Sequence, residues 1–239
     1  MSWWSEDTAY IQILSIDHII YLFILAISLA VLILYRNKVK RNRKQIAACF
    51  LILSILQQIL LYSWYIFETG FDVSESLPLQ ICRISTLLGI WFLVTKNIKV
   101  LEIMFYFGLF AYGSFLYPSR IHPVYHVMGI SFVVNHVITI LLPYFGYIAY
   151  QWRPKFKGFL KAYLLFLVYF AFVYVLNPFI DGNYFYLKYR PFFNEWPNYI
   201  YVPVVLIVVF IGFYLAFVVV RSAYRISSKQ EKMDERFSG

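Results

Sequence analysis

Apolar residues in this chain gather into long runs separated by short polar stretches, and the runs are too long to be the buried faces of a soluble bundle. A helix crosses the hydrocarbon layer in about 20 residues. By that measure the pattern predicts seven crossings, at 17–35, 45–67, 77–95, 98–117, 124–150, 156–179 and 200–221. The third run is the least apolar, and the fifth is long enough to tilt or to begin at the interface. No internal repeat interrupts the pattern, and only the tail from about Ser227 reads as a solvated polar end. The expected fold class is all-α: a polytopic, seven-helix membrane bundle over residues 1–226, with a polar cytoplasmic tail over 227–239.

The polar stretches set the orientation. The first loop, RNKVKRNRK, carries six basic residues, whereas the next, ETGFDVSES, carries none and has Glu68, Asp72 and Glu75. With seven crossings, seventeen Lys and Arg fall on the side of the first loop and the C-terminus. Three fall on the other side (Arg120, Lys188 and Arg190), and Arg83, in the third run, is counted with neither. Because basic loops stay cytoplasmic, the N-terminus is expected outside and the C-terminus inside, in a multi-pass protein of the cell membrane. The stretch IDGNYFYLKYRPFFNEWPNY, 180–199, then lies outside, and its aromatics and prolines predict a structured cap at the interface. Within it, Gly182 permits a tight turn and Asn183 is placed to hydrogen-bond backbone groups.

Composition agrees. With 62% hydrophobic and 14% charged residues and a mean hydropathy of +0.67, a soluble domain is excluded. The 22% of aromatic residues suits several interface crossings, where Tyr and Trp concentrate. A formal charge of +9 would suggest nucleic acid in a soluble chain, but the basic residues sit in loops and no recognition module is present, so no nucleic-acid partner is expected. The partners expected are membrane lipids, with homo-oligomer formation left open. The first run follows Glu6 and Asp7 with no basic stretch before it, so it is expected to be retained as a helix and not cleaved. Cys49 and Cys82 fall near opposite faces of the bilayer, too far apart for a disulfide, and Cys49 reads as a small apolar packer.

Ionisable and strongly polar groups at membrane depth mark function more often than chance, and here they are few: Gln57 and Gln58 in the second run, Cys82 and Arg83 in the third, Glu102 in the fourth and His136 in the fifth. At 1.5 Å per residue, Cys82 lies about 8 Å and His136 about 18 Å along their runs, both in the outer half. A thiol becomes a strong nucleophile when a cation or an imidazole base adjoins it. Arg83 points about 100° away around the helix, and His136 reads as the one histidine buried in a span, hence the natural base. The plainer reading stands beside this one: Cys82 as packing and His136 as a satisfied interhelical hydrogen-bonder. His122 and His126, four apart in RIHPVYH, could ligate a metal, but Pro123 argues for a helix start and no third ligand is evident. No metal or cofactor is expected. Pro143, Pro178 and Pro203 sit singly, without the paired broken helices of a transporter.

LPLQIC at 77–82, NH at 135–136 and GNYFYL at 182–187, followed by RP and WP, resemble the bacterial YwaF-like integral membrane proteins. That family is similar to a eukaryotic transmembrane acyltransferase acting on ether phospholipids. The resemblance spans Leu77 to Tyr201. It implies a lipid acyltransferase or acyl hydrolase in which Cys82 carries the acyl group and His136 is the base, with Gln80, Arg83, Asn135, Asn183 and Tyr184 lining the substrate. The chain departs from the bacterial pattern at Gln80, often His there, and at Arg83, often Asp. Two other functions fit the polar residues: a small-molecule or lipid carrier with a polar path through Gln57, Gln58, Glu102 and His136, or a membrane scaffold that uses the first basic loop or the tail.

Overall fold

The computed structural model describes residues 3–237, with their side chains up to Tyr224. Among these residues the structure is all-helical. In chain order the helices are α1 (Ile16–Leu34), α2 (Arg36–Arg41), α3 (Arg43–Phe67), α4 (Val73–Ser76), α5 (Ile81–Thr95), α6 (Ile98–Phe107), α7 (Leu109–Leu116), α8 (Val127–Tyr150), α9 (Phe156–Ile180) and α10 (Asn198–Phe237), with a 3-10 turn at Tyr184–Tyr186. Six are long and apolar enough to cross a membrane: α1, α3, α6 with α7 as Ile98–Leu116, α8, α9 and the Asn198–Tyr224 part of α10.

The third predicted run is the exception. Its helix begins at Ile81 instead of Leu77 and has 15 residues, about 22 Å of rise against a hydrocarbon layer of about 30 Å. The cause is local. Pro78 disfavours helical backbone at the residue before it, and Leu77 and Gln80 are extended. The carbonyls of Leu77 and Leu79 are taken by the side chains of Arg83 (2.9 Å) and Tyr169 (2.7 Å) and not by helical N–H groups. The remaining ends follow ordinary capping. Ser15, Asn97 and His126 each accept a first-turn N–H at the starts of α1, α6 and α8. Pro143, Pro178 and Pro203 lie within unbroken helices.

α8 is the axis of the bundle. In its most apolar stretch 72% of residues are buried, against 17% in α1 and in α10, and α1, α3, α5 and α6 all pack on it. Two glycines allow close approach: a Cβ on Gly146 would overlap Leu101, and one on Gly129 would overlap the Pro123 carbonyl. Many aromatic residues, Phe above all, fill the interior. Phe92, Tyr106, Phe145, Phe159, Phe166 and Phe213 are fully buried, and Phe110, Phe166, Phe185 and Phe213 form a mutually contacting ring cluster between α7, α9, α10 and the 3-10 turn. Lipid and aliphatic side chains are equally apolar, so helices in a bilayer associate by packing, and interlocking rings supply such packing.

At one end of the bundle the N-terminal strap, the 68–80 and 117–126 segments and the 180–199 loop interlock. Ile11 N–H bonds the Ile121 carbonyl (2.8 Å), Val127 N–H the Trp3 carbonyl (2.9 Å), and Trp64 Nε1 the Trp4 carbonyl (2.6 Å). At the other end lie the basic loops. There Glu102, buried, accepts the Lys155 N–H at 2.6 Å and caps α9. Cys49 is exposed and not packed, contrary to the expectation: it lies on the outer face of α3, whose inward positions are Ala47, Ser54, Gln57 and Leu61.

Candidate functional site

The sequence stretches LPLQIC and GNYFYL, about a hundred residues apart, meet at the interlocked end. Gln80 clamps the backbone of the cap: its Nε2 donates to the Asn183 carbonyl (3.2 Å) and its Oε1 accepts the Phe185 N–H (3.3 Å). Tyr184, fully buried, donates its hydroxyl to the Val73 carbonyl (2.6 Å) and accepts the Leu77 N–H (3.0 Å). Asn177 closes the far side, bonding both backbone groups of Tyr184 at 2.9 and 3.1 Å. Asn183 does as its sequence position suggested, accepting the N–H groups of Lys188 and Tyr189 at 2.9 Å each. The left-handed residue of that turn is Asp181 (φ 54°), not Gly182. Gly182 serves close packing instead, since a Cβ there would lie 3.0 Å from Asn177 Oδ1.

Arg83 belongs to the same scaffold. Its Nη1 donates to the carbonyls of Glu75 (2.6 Å) and Leu77 (2.9 Å), its Nη2 donates to the Tyr65 hydroxyl, and the guanidinium lies 4.7 Å from the Tyr65 ring centroid. It holds the non-helical entry to α5 in place.

Cys82 sits in the first turn of α5, directly after the clamp, and is half-buried. Gln80 is the N-cap but makes no side-chain cap bond. The N–H groups of Arg83 and Ile84 both bond the Gln80 carbonyl, and among the described residues those of Ile81 and Cys82 bond no other residue. These two donors carry the positive end of the helix dipole, the usual character of an anion site. Among the described residues the Cys82 sulfur has one hydrogen-bond partner on another residue, Ser114 Oγ on α7 at 3.9 Å.

His136 on α8 is buried. Its Nδ1–H donates to the Phe132 carbonyl at 2.8 Å, which fixes the tautomer and leaves the Nε2 lone pair without a hydrogen bond among the described residues. Its ring packs on Phe132 and Phe115. No hydrogen bond joins Cys82 to His136 among the described residues. The two helices are tied beside them: Thr86 Oγ1 lies 3.0 Å from the Cys82 carbonyl and bonds the Asn135 side-chain amide. The Thr86 hydroxyl thus has two acceptors within reach, the Cys82 carbonyl on its own helix and Asn135 Oδ1 on α8. α7 bridges the pair from the other side, with Ser114 on the thiol and Phe115 on the imidazole.

Sequence reasoning missed His18. It lies in α1, is 3% exposed and is fully engaged: Nδ1 accepts the Leu14 N–H (2.9 Å) and Nε2 donates to the Phe115 carbonyl (2.7 Å). His136 is therefore not the one histidine buried in a span, but it is the one of these two with a free ring nitrogen. The signal for His18 was its place three residues after Ser15, inside the first turn. The polar path that a carrier would need is not joined by hydrogen bonds. Gln57 bonds Ser131 (2.7 Å), Gln58 bonds Gln57 (2.6 Å), and Glu102 is committed to α9 at the other end.

His122 and His126 stack at 4.2 Å between centroids, with Trp64 against both. His126 uses both nitrogens, on Met128 N and Ser5 O, and no group of three potential metal ligands occurs among the described residues. The pair instead pins the N-terminal strap. Burial, reinforced by the neighbouring His126, pulls His122 down to about 4 from its ordinary 6.5, against a backbone hydrogen bond to Thr8 that raises it. A folded value below the unfolded one means that the unfolded chain takes up the proton first as pH falls. The His122 contribution to stability is therefore full above about pH 6.5, declines between 6.5 and 4, and is lost below. Melting temperature measured against pH checks this, and His122→Gln is expected to flatten that slope.

A bundle of six long apolar helices around a buried axis defines a multi-pass membrane protein. The TMEM164 family model, of a transmembrane family, matches residues 13–215, and the chain belongs to the TMEM164 family. No curated protein and no solved structure matches it.

Proposed function

We propose that this protein transfers or hydrolyses lipid acyl groups at Cys82, in the outer leaflet of the cell membrane. On this reading α5 and the extended 77–80 segment complete a seventh crossing, and the basic loops face the cytoplasm. The observation that carries the proposal is the placement of Cys82: a half-buried thiol in the first turn of a helix, beside the N-terminal N–H groups of Ile81 and Cys82. The resemblance of LPLQIC, NH and GNYFYL to the YwaF-like membrane proteins, a family similar to a lipid acyltransferase, supports it. So does the joining of the first and third of these stretches by Gln80.

The chemistry proceeds in two displacements. As lipid enters, the sulfur turns from Ser114 toward His136, whose Nε2 takes the thiol proton; catalytic hydrogen bonds commonly tighten only with substrate bound. The thiolate attacks the ester carbonyl, and the Ile81 and Cys82 N–H groups hold the oxyanion. The C–O bond breaks, the lysolipid oxygen leaves with the proton from His136, and the acyl chain remains as a thioester. A lysolipid hydroxyl or amine, or water, gives its proton to His136 and attacks the thioester. The thiolate then leaves and is reprotonated. Gln80, Tyr184, Asn183 and Arg83 hold the entry to α5, and Asn135 holds α8 against α5.

The test is the lipid profile of cells. Cys82→Ala and His136→Ala are each expected to reproduce the profile of the deletion. Unchanged profiles in both, where the deletion does change it, would refute the proposal.

A further inference from the structure

The loop between α9 and α10 is built inside out. Every residue from 191 to 200 is exposed, including Phe192 at 54%, Phe193 at 59% and Tyr199 at 78%. Its arginine is tied back onto the loop, while Asn194 and Glu195 are exposed beside the rings. Arg190 donates Nη1 to the Trp196 carbonyl (2.6 Å), Nη2 to the Asn198 side chain and Nε to the Leu187 carbonyl (3.4 Å), and its guanidinium lies 3.9 Å from the Tyr201 ring centroid. A loop in water places charge outside and rings inside. This one satisfies its arginine internally and presents its aromatics.

The backbone enforces that arrangement. Phe193 is held in the left-handed region (φ 57°), costly for an aromatic residue, and its ring stacks on Trp196 at 4.3 Å. Phe192 packs on Tyr117 (4.9 Å), so the ridge is joined to the end of α7. Both ends of the loop are ends of membrane-crossing helices, Ile180 of α9 and Asn198 of α10, which fixes it at the bilayer boundary. An exposed aromatic ridge at that level fits the lipid headgroup region, where amphipathic rings are most stable.

We propose that the Tyr189–Tyr199 ridge inserts into the lipid interface of the protein's own membrane, with Phe192, Phe193 and Trp196 as the penetrating rings. The same loop carries Asn183 and Phe185, so lipid seating of the ridge supports the Gln80 clamp beside Cys82. This inference does not depend on any reaction at Cys82.

The test uses full-length protein with Cys49→Ser and Cys82→Ser, a single Phe193→Cys labelled with an environment-sensitive dye, and phosphatidylcholine vesicles brominated at shallow or deep acyl positions. The expected result is at least twofold stronger quenching by shallow-brominated lipid than the same dye shows on Ser74→Cys. Protection from aqueous iodide should accompany it. Equal iodide quenching at the two positions, with no bromolipid effect at 193, would overturn the proposal. Trp196→Phe in the otherwise native chain gives an independent reading: the bromolipid-quenchable share of intrinsic fluorescence should fall, and no fall would count against insertion.

Discussion

Arg83→Met is expected to lower the melting temperature sharply and to open the segment between Val73 and Gln80. Methionine fills similar volume but leaves the Glu75 and Leu77 carbonyls and the Tyr65 hydroxyl without their donor. Hydrogen bonds to a charged group contribute about 1.5–3 kcal/mol each in soluble proteins, and less where the unfolded chain finds partners in the membrane. A net loss of about 3 kcal/mol is the expected scale. Hydrogen exchange should localise the loss to 73–80. If Arg83 instead served chiefly to bind a lipid phosphate, the variant would melt like the parent and only lipid binding would weaken.

Gly129→Ala is expected to be at least as damaging. A Cβ at Gly129 would stand 2.5 Å from the Tyr21 hydroxyl oxygen, 2.8 Å from the Pro123 carbonyl carbon and closer still to the Pro123 oxygen. Pro123 lies in the turn that leads into α8, its carbonyl accepting the His126 N–H at 3.0 Å, and Tyr21 is committed to the His122 carbonyl at 2.8 Å, so neither yields easily. Overpacking typically costs about 1–3 kcal/mol, and a backbone clash lies at the upper end. The α1–α8 contact should separate, lowering both melting temperature and the yield of folded protein. Gly113→Ala, where a Cβ meets nothing within 4 Å, is the matched control and should behave as the parent.

The long apolar runs were legible because bilayer thickness imposes a minimum length on every crossing helix, and six of them appear where hydropathy places them. Pro78 makes a break near Leu77 legible, but the start of α5 at Ile81 was not. It depends on Arg83 and Tyr169 taking carbonyls that a helix would otherwise use, and Tyr169 comes from ninety residues away. The candidate site divides similarly. Cys82 and His136 stand out as polar groups in oil, whereas the Gln80 clamp is a contact over more than a hundred residues that periodicity cannot report. His18 escaped notice because it opens a helix, where a histidine looks interfacial until Phe115 is seen to receive its Nε2. Aromatic composition suited interfaces for Tyr and Trp, while Phe above all fills the interior, since a ring's place is decided by its packing neighbours.

The most direct measurement is covalent labelling of the intact protein in membranes with a long-chain alkyl chloroacetamide, with the modified residue identified by mass spectrometry. A base-assisted lipid-facing thiol predicts alkylation at Cys82 that slows at least tenfold in His136→Ala, while exposed Cys49 reacts equally in both. Cys82 left unmodified while Cys49 reacts, or modified at the same rate with and without His136, would contradict the account.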